Sequence, residues 1–489
     1  MNTIKKFKKA VALMLTAALL LSVGCTKKDR TPIEVVPEGK EHDGVLQRAK
    51  ELTSHSALPD VTVDEQIKFL SWYNVDETIP TAEIFKAKYG IPGHGFLGID
   101  IEVPEDLEER RKLPKVIKWE QTSYNTRYER LNSLIMSGDS PDMFPFEERN
   151  YPNGVWKKHF QTIDGVIDLD DPIWASMRDT IDLFKWAGKN YCAVTELSNS
   201  TAMLYYRRSV AQEAGLDDPY TLWRSGEWTW DTFRTMLQKF SEVDKSWGIQ
   251  GTYVDEATVL STGVGLISIE NGVLKNNLDD SRVERAMSFV QDMAINDWRF
   301  PYHQLTDFQI TPSAFRSGTV LFWCDGPWVY TETLQKIRDN DSWTEDEICI
   351  VPFPRDPLSN QYFQRGKQDA LMLVAGAQNI DGFKAWTMSA AIAAQDAAML
   401  QQNRDKLKKD WGYTDKQLKA REDIIDTLVP VWDFKNGIGE DLGLATGESP
   451  VENLTKMVYM WGESYTQMRS ENRAKIDLRI IEINDAFNQ

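Results

Sequence analysis

Cysteine and histidine are nearly absent from this chain, four and five among 489 residues. Four cysteines cannot staple a fold of this length, so its cores have to be held by apolar burial rather than by a disulfide framework. None of the histidines (His42, His55, His94, His159, His303) has another His or Cys at metal-ligand spacing, which argues against a zinc enzyme and leaves no metal or cofactor expected. Long apolar runs are just as scarce. The longest, residues 10–21, is shorter than the ~20 residues that a membrane-spanning helix needs. Positive charge is in deficit, with 56 Lys and Arg against 74 Asp and Glu, a balance of −18 that repels nucleic acid and anionic lipid head groups at long range.

The chain opens with Lys5, Lys6, Lys8 and Lys9, then the apolar run, then Ser22-Val23-Gly24 ahead of Cys25. Positive, apolar and small residues in that order predict an export signal. A signal ending at a cysteine after glycine resembles a bacterial lipoprotein lipobox, although Ser22 stands where that pattern prefers the leucine found at Leu21. The resemblance implies a signal peptide over 1–24 and a diacylglycerol on the Cys25 sulfur, with the lipid as the only membrane contact. Everything after Cys25 is then expected outside the cytoplasmic membrane. Cleavage removes four lysines and no acid, leaving 52 basic against 74 acidic residues, a formal charge of −22 that serves solubility and is indifferent to neutral ligands. Polar residues interrupted by Pro32, Pro37, Gly39 and Pro59 follow, so 25–63 reads as the lipidated cysteine and a flexible tether.

From residue 67 the pattern alternates. The apolar runs 67–73, 116–120 and 141–144 read as buried strands, and the spacing of Tyr128, Leu131, Leu134 and Ile135 predicts a helix that Ser137-Gly138-Asp139 stops. Further helices are expected at 81–89, 209–214, 229–240, 283–295 and 380–395, with Thr229 as an N-cap and Asp231 at the positive end of the dipole. The last eighty or so residues read as mainly helical. Strands alternating with helices argue for parallel-sheet α/β layers. Seventeen tryptophans are the compositional outlier. Trp stacks well on a sugar ring, but most of the seventeen have to be packing residues, Trp228 and Trp230 among them.

The landmarks also come in a telling order: LNSLIMSGDSPD at 131–142, Gly188-Lys189-Asn190-Tyr191 and Ala202-Met203-Leu204-Tyr205-Tyr206, then Ala214-Gly215-Leu216-Asp217-Asp218-Pro219 and Glu227-Trp228-Thr229-Trp230-Asp231. Phe315-Arg316-Ser317-Gly318, Gly326-Pro327-Trp328, Ile350-Val351-Pro352-Phe353-Pro354 and Val374-Ala375-Gly376-Ala377 complete the series. From about Gln66 to Phe487 this set resembles the family 1 extracellular solute-binding proteins of carbohydrate ABC importers, the maltose-binding-protein-like group, and with the lipobox it looks like the Gram-positive branch. The resemblance implies a two-lobed α/β periplasmic-binding-protein type 2 fold with hinge strands and an interlobe ligand cleft. Lobe one is expected at 64–193 plus 352–405 and lobe two at 194–351 plus 406–489. The implied partners are a carbohydrate ligand and the ABC permease subunits, and a monomer is expected.

Carried over residue by residue, the resemblance implies that Trp328 stacks on the sugar, with Asp325 beside it. Asn74, Asp76 and Glu77 fall in the loop after the first strand, where sugar hydroxyls are contacted; Glu77 replaces a lysine of the maltose-binding member. Phe146 falls at an aromatic stacking position, with Glu147 and Arg149 after it, while Asp142 reads as a structural acid and Trp72 as core. Glu196 and Asn199 near the first crossing, and Trp432 and Asp433 before the final helices, complete the candidates. Cys192 and Cys349 fall on expected hinge strands that should lie side by side, yet adjacent strand positions seldom meet disulfide geometry, so buried thiols are expected. The chain thus reads as a lipid-anchored sugar receptor that does no chemistry. A surface glycoside hydrolase, a receptor for a peptide or other polar solute, and a sensor subunit remain as alternatives.

Overall fold

A computed structural model describes residues 41–104, 106–197, 202–301, 312–344, 346–439 and 450–487. The first apolar runs form β1 (Ile67–Ser71), β2 (Ile117–Gln121) and β3 (Met143–Pro145), with β1 parallel to both of the others. Later in the chain come β4 (Cys192–Leu197), β5 (Met203–Arg207), β6 (Trp247–Gly251), β7 (Val320–Asp325), β8 (Ile348–Val351), β9 (Phe363–Arg365), β10 (Gln368–Leu373) and β11 (Val429–Val431). One five-stranded sheet has the order β2-β1-β3-β10-β4, and one four-stranded sheet the order β8-β5-β7-β6. Both sheets are mixed rather than purely parallel. β10 runs antiparallel to β3 and β4, and β5 antiparallel to β7 and β8.

The chain passes between the sheets more than once. β4 leads to β5, β8 leads back to β10, and on that return β9 pairs in parallel with β11 as a separate two-stranded ribbon. Strands that enter a sheet from the other one arrive against its local direction, which accounts for the antiparallel members. Close approach within the second sheet depends on Gly251 (φ 140°), where a Cβ would stand 2.0 Å from the Cys324 carbonyl oxygen.

Local signals act as read. The helix Arg127–Ser137 buries Tyr128, Leu131 and Leu134 and ends at Gly138 in the left-handed region. Thr229 N-caps the helix Trp230–Ser241, its N–H donating to Thr232 Oγ1 at 3.0 Å. Asp142 is structural: Oδ2 accepts the Lys68 N–H, and Oδ1 accepts those of Gln378 and Asn379. Trp228 and Trp230 are buried in the core.

Two expectations need correction. Residues 41–63 are not tether: Glu41–Leu52 is a helix, and Val45, Ala49, Leu52, Ala57, Leu58 and Val63 are buried in the core of the first sheet's layer. Spacing of i, i+4 and i+7 puts Val45, Ala49 and Leu52 on one face, and that face packs on the helix Pro80–Tyr89. Cys192 and Cys349 are not neighbours either. Cys192 pairs with Met372 in the first sheet and Cys349 with Tyr206 in the second, and with Cys324 they are buried free thiols. Cys25 lies outside the described residues.

Candidate functional site

Strand ends from both sheets converge on one cleft of about 1170 Å³. The first sheet contributes the loops after β1 and β3, the end of β4 and the start of β10; the second contributes the loops after β6 and β7. Carboxyl ends of strands leave their loops free of sheet pairing, which is why ligand sites of α/β folds gather there.

Its walls are aromatic. On the first-sheet side Trp72 meets Tyr73 and Tyr124 edge-on, with ring centroids 5.2 and 5.3 Å apart. On the second-sheet side Tyr253 meets Trp328 edge-on at 6.1 Å, and the Lys367 amine stands 5.7 Å from the Trp328 ring centre. Phe146 and Trp432 also line the cleft, and the buried Phe184 packs edge-on against both. Trp432 also lies against Gly366, where a Cβ would stand 2.6 Å from the indole.

Charge in the cleft is tied into networks. Arg365, at the end of β9, binds Glu148 from the loop after β3 and Glu256 from the helix after β6, the latter at 2.6 Å. Lys435 joins Glu256 at 3.0 Å. Burial pushes Glu256 upward, but Arg365 and Lys435 overcome it and hold the carboxyl near the acid extreme, at about 2. Glu147 takes both oxygens to Arg127, at 2.6 and 2.7 Å. Burial likewise opposes the ionised form of Asp76, and its bonds from Thr78 together with Lys406 bring it well below the usual carboxylate range.

Of the residues expected from the sequence, Asn74, Asp76, Phe146, Glu147, Arg149, Glu196, Trp328 and Trp432 line the cleft. Glu77, Asp325 and Asp433 do not. Glu77 is buried, accepting the N–H groups of Val116 and Ile117 at 2.9 and 2.7 Å and pairing with Lys86 at 3.0 Å. Asp325 folds back on the turn after β7, where it accepts the Gly326 N–H at 2.8 Å, and burial pushes it up to about 6. Asp433 accepts the N–H groups of Leu266, Ile267 and Lys435 and so fastens two loops together. Asn199 lies outside the described residues. Trp72, read as core, lines the cleft instead, as do Tyr73, Tyr124, Tyr253, Arg365 and Lys367, which the sequence reading missed. Tyr253 follows the end of β6, and strand-end position was the available signal; Arg365 had none.

The family model of bacterial extracellular solute-binding proteins matches residues 108–401. The chain belongs to that family. The solute-binding protein has no match among the curated proteins. Among solved structures it is similar to Lmo0181, an ABC substrate-binding protein from Listeria monocytogenes in complex with cycloalternan, at 15% identity and a TM-score of 0.57 over 88% of this chain and 100% of that one. The sugar-binding protein MalE from Xanthomonas citri gives 16% identity and a TM-score of 0.57, again over 88% and 100%. The GacH receptor of Streptomyces glaucescens, solved unliganded and with acarbose, gives 16% and 0.54 over 85% and 98%. Likeness at such identities is a likeness of fold: two α/β lobes with a cleft between them.

Proposed function

We propose that this solute-binding protein is a lipid-anchored receptor, held outside the cell membrane through Cys25. In this reading it binds a mono- or oligosaccharide between its lobes and passes it unaltered to the permease of an ABC importer. The observation that carries this reading is the cleft itself: flat aromatic faces on both sides, with polar groups between them fixed by ion pairs. Sugar rings offer C–H faces to stack and hydroxyls to hydrogen-bond, and such a wall meets both needs. Solved neighbours of the same fold hold cycloalternan and acarbose, which supports the ligand class.

Ion pairs also shape the cleft for binding. Glu147 pairs with Arg127, Glu148 with Arg365, and Glu256 with Arg365 and Lys435, which fixes their oxygens in place to accept hydroxyl hydrogen bonds. The receptor is proposed to act as a monomer whose closed form a permease distinguishes from the empty one.

The test is intrinsic Trp fluorescence and melting temperature of residues 26–489, which keep every described residue, titrated with mono- and oligosaccharides. Saturable binding of one sugar class, recovered intact and lost in Trp328→Ala, is expected. Cleavage of the sugar would move the reading to a glycoside hydrolase. Silence across the panel would move it to a peptide or another polar solute.

A further inference from the structure

Arg127 is the least expected group near the cleft. Its side chain is fully buried, yet it belongs to no hydrophobic layer: the guanidinium carbon lies 3.7 Å from the Tyr124 ring centre, 4.5 Å from that of Tyr128 and 5.3 Å from that of Trp72. Two of its nitrogens hold Glu147, and a third donates to the Tyr124 carbonyl oxygen. A buried cation is costly unless paired, and here the carboxylate pairs it while three rings cover it.

Tyr128 is buried in the core, but the Tyr124 and Trp72 rings that Arg127 supports are not. Tyr73 and Tyr124 are each 45% exposed, and with the half-buried Trp72 they line the cleft. These are fixed edge-to-face on a rigid ionic base and left open on the ligand side. Trp328 and Tyr253 form a separate aromatic pair on loops of the other sheet. The cleft, at about 1170 Å³, exceeds the ~300–1,000 Å³ typical of sites for drug-sized ligands. A single sugar ring would leave most of that volume to water.

Resting on the sugar-receptor reading above, we infer that Arg127 is a positioning residue holding Trp72 and Tyr124 as a second stacking platform, and that the ligand is an oligosaccharide reaching from this platform to Trp328. Glu147 is the orienting partner: it fixes the guanidinium fork, and the fork fixes the Tyr124 backbone and ring together.

Calorimetric titration of residues 26–489 with glucose, xylose and mannose, and with the di- and tetrasaccharides of the malto-, cello-, xylo- and manno-series, tests this. One tetrasaccharide should bind at least about tenfold more tightly than its own monosaccharide. Tyr124→Ala and Trp328→Ala should each weaken that tetrasaccharide about tenfold, a stacking contact's worth. Arg127→Met should reproduce the Tyr124→Ala loss for the tetrasaccharide while leaving the disaccharide of the same series unchanged in Trp328-dependent binding. A monosaccharide bound as tightly as the tetrasaccharide, or a Tyr124→Ala variant with unchanged tetrasaccharide affinity, overturns the inference and leaves the receptor reading standing. Equal losses at every chain length in Arg127→Met, with Tyr124→Ala unaffected, reduce Arg127 to scaffold and overturn its positioning role. Absence of binding to every sugar by the unsubstituted protein overturns the receptor reading, and the inference falls with it.

Discussion

Glu77 tests the structural reasoning at a residue where sequence and structure assign different roles. Replacing it with Ala removes the acceptor for the Val116 and Ile117 N–H groups at the start of β2, and strips Lys86 of its carboxylate. The two side chains are 7% and 5% exposed, so water cannot readily replace the lost partner. Breaking a buried ion pair from one side costs about 3–5 kcal/mol. Two stranded backbone donors add to this at about 1–3 kcal/mol each where water cannot reach them. A net loss of about 5 kcal/mol is expected, a large part of the ~5–15 kcal/mol by which domains are stable. Lys86→Met should cost less, because the carboxylate keeps its two N–H donors. Glu77→Ala with Lys86→Met should be more stable than the sum of the two losses implies, since the orphaned charge is gone. Urea unfolding followed by circular dichroism reads these values, and sugar titration below the transition should show unchanged affinity. An unchanged urea midpoint together with lost sugar binding would mean that the carboxylate serves the ligand, and the capping argument would be wrong.

Arg365→Met should lower stability by about 3–5 kcal/mol, because Glu148 loses its guanidinium and Glu256 is left with Lys435; a melting temperature equal to that of the unsubstituted protein would refute this. His159 has a buried Nδ1 without a hydrogen-bond partner, and burial, helped by Lys157, lowers its pKa from 6.5 to about 4. The unfolded chain therefore binds a proton that the folded chain refuses, so stability should fall as pH drops from 6.5 to about 4. His159→Phe should flatten that part of the profile, and an unaltered slope in thermal melts would show that another group titrates there. Cys192, Cys324 and Cys349 are buried, and burial pushes the Cys192 thiol up to about 12. Ellman's reagent should find no reactive thiol in folded residues 26–489 and all three after guanidinium unfolding.

Local features of the fold were legible because they depend on neighbours in sequence. Gly138 stops its helix by adopting a left-handed conformation, and Thr229 starts one, whatever the rest of the chain does. Strand direction was not legible. β10 is antiparallel to β3 because it returns from the other sheet, a fact that its own residues do not carry. The helix Glu41–Leu52 was hidden for another reason: its few apolar residues sit among charges, between Pro37 and Pro59, and composition outweighed a helical spacing that was present.

Site residues divide along the same line. A position at the end of a strand is enough to bring Asn74, Phe146 and Trp328 to the cleft. Whether an acidic residue there serves a ligand depends on its partner, and the partner is distant: Glu148 meets a guanidinium 217 positions away. Glu77 and Asp433 satisfy backbone N–H groups instead, and Asp325 turns back onto the glycine that follows it. Residue type alone made the cleft look more acidic and more available than it is. With Glu147 committed to Arg127, and Glu148 and Glu256 to Arg365, these carboxylates arrive already neutralised by protein cations. A cationic solute would have to displace Arg127 or Arg365 from a buried pair to reach them. A neutral hydroxyl only has to donate to an oxygen's remaining lone pair while its ring covers an aromatic face. These paired carboxylates thus favour a neutral sugar over a cationic solute, while the net negative charge of the chain disfavours anionic partners.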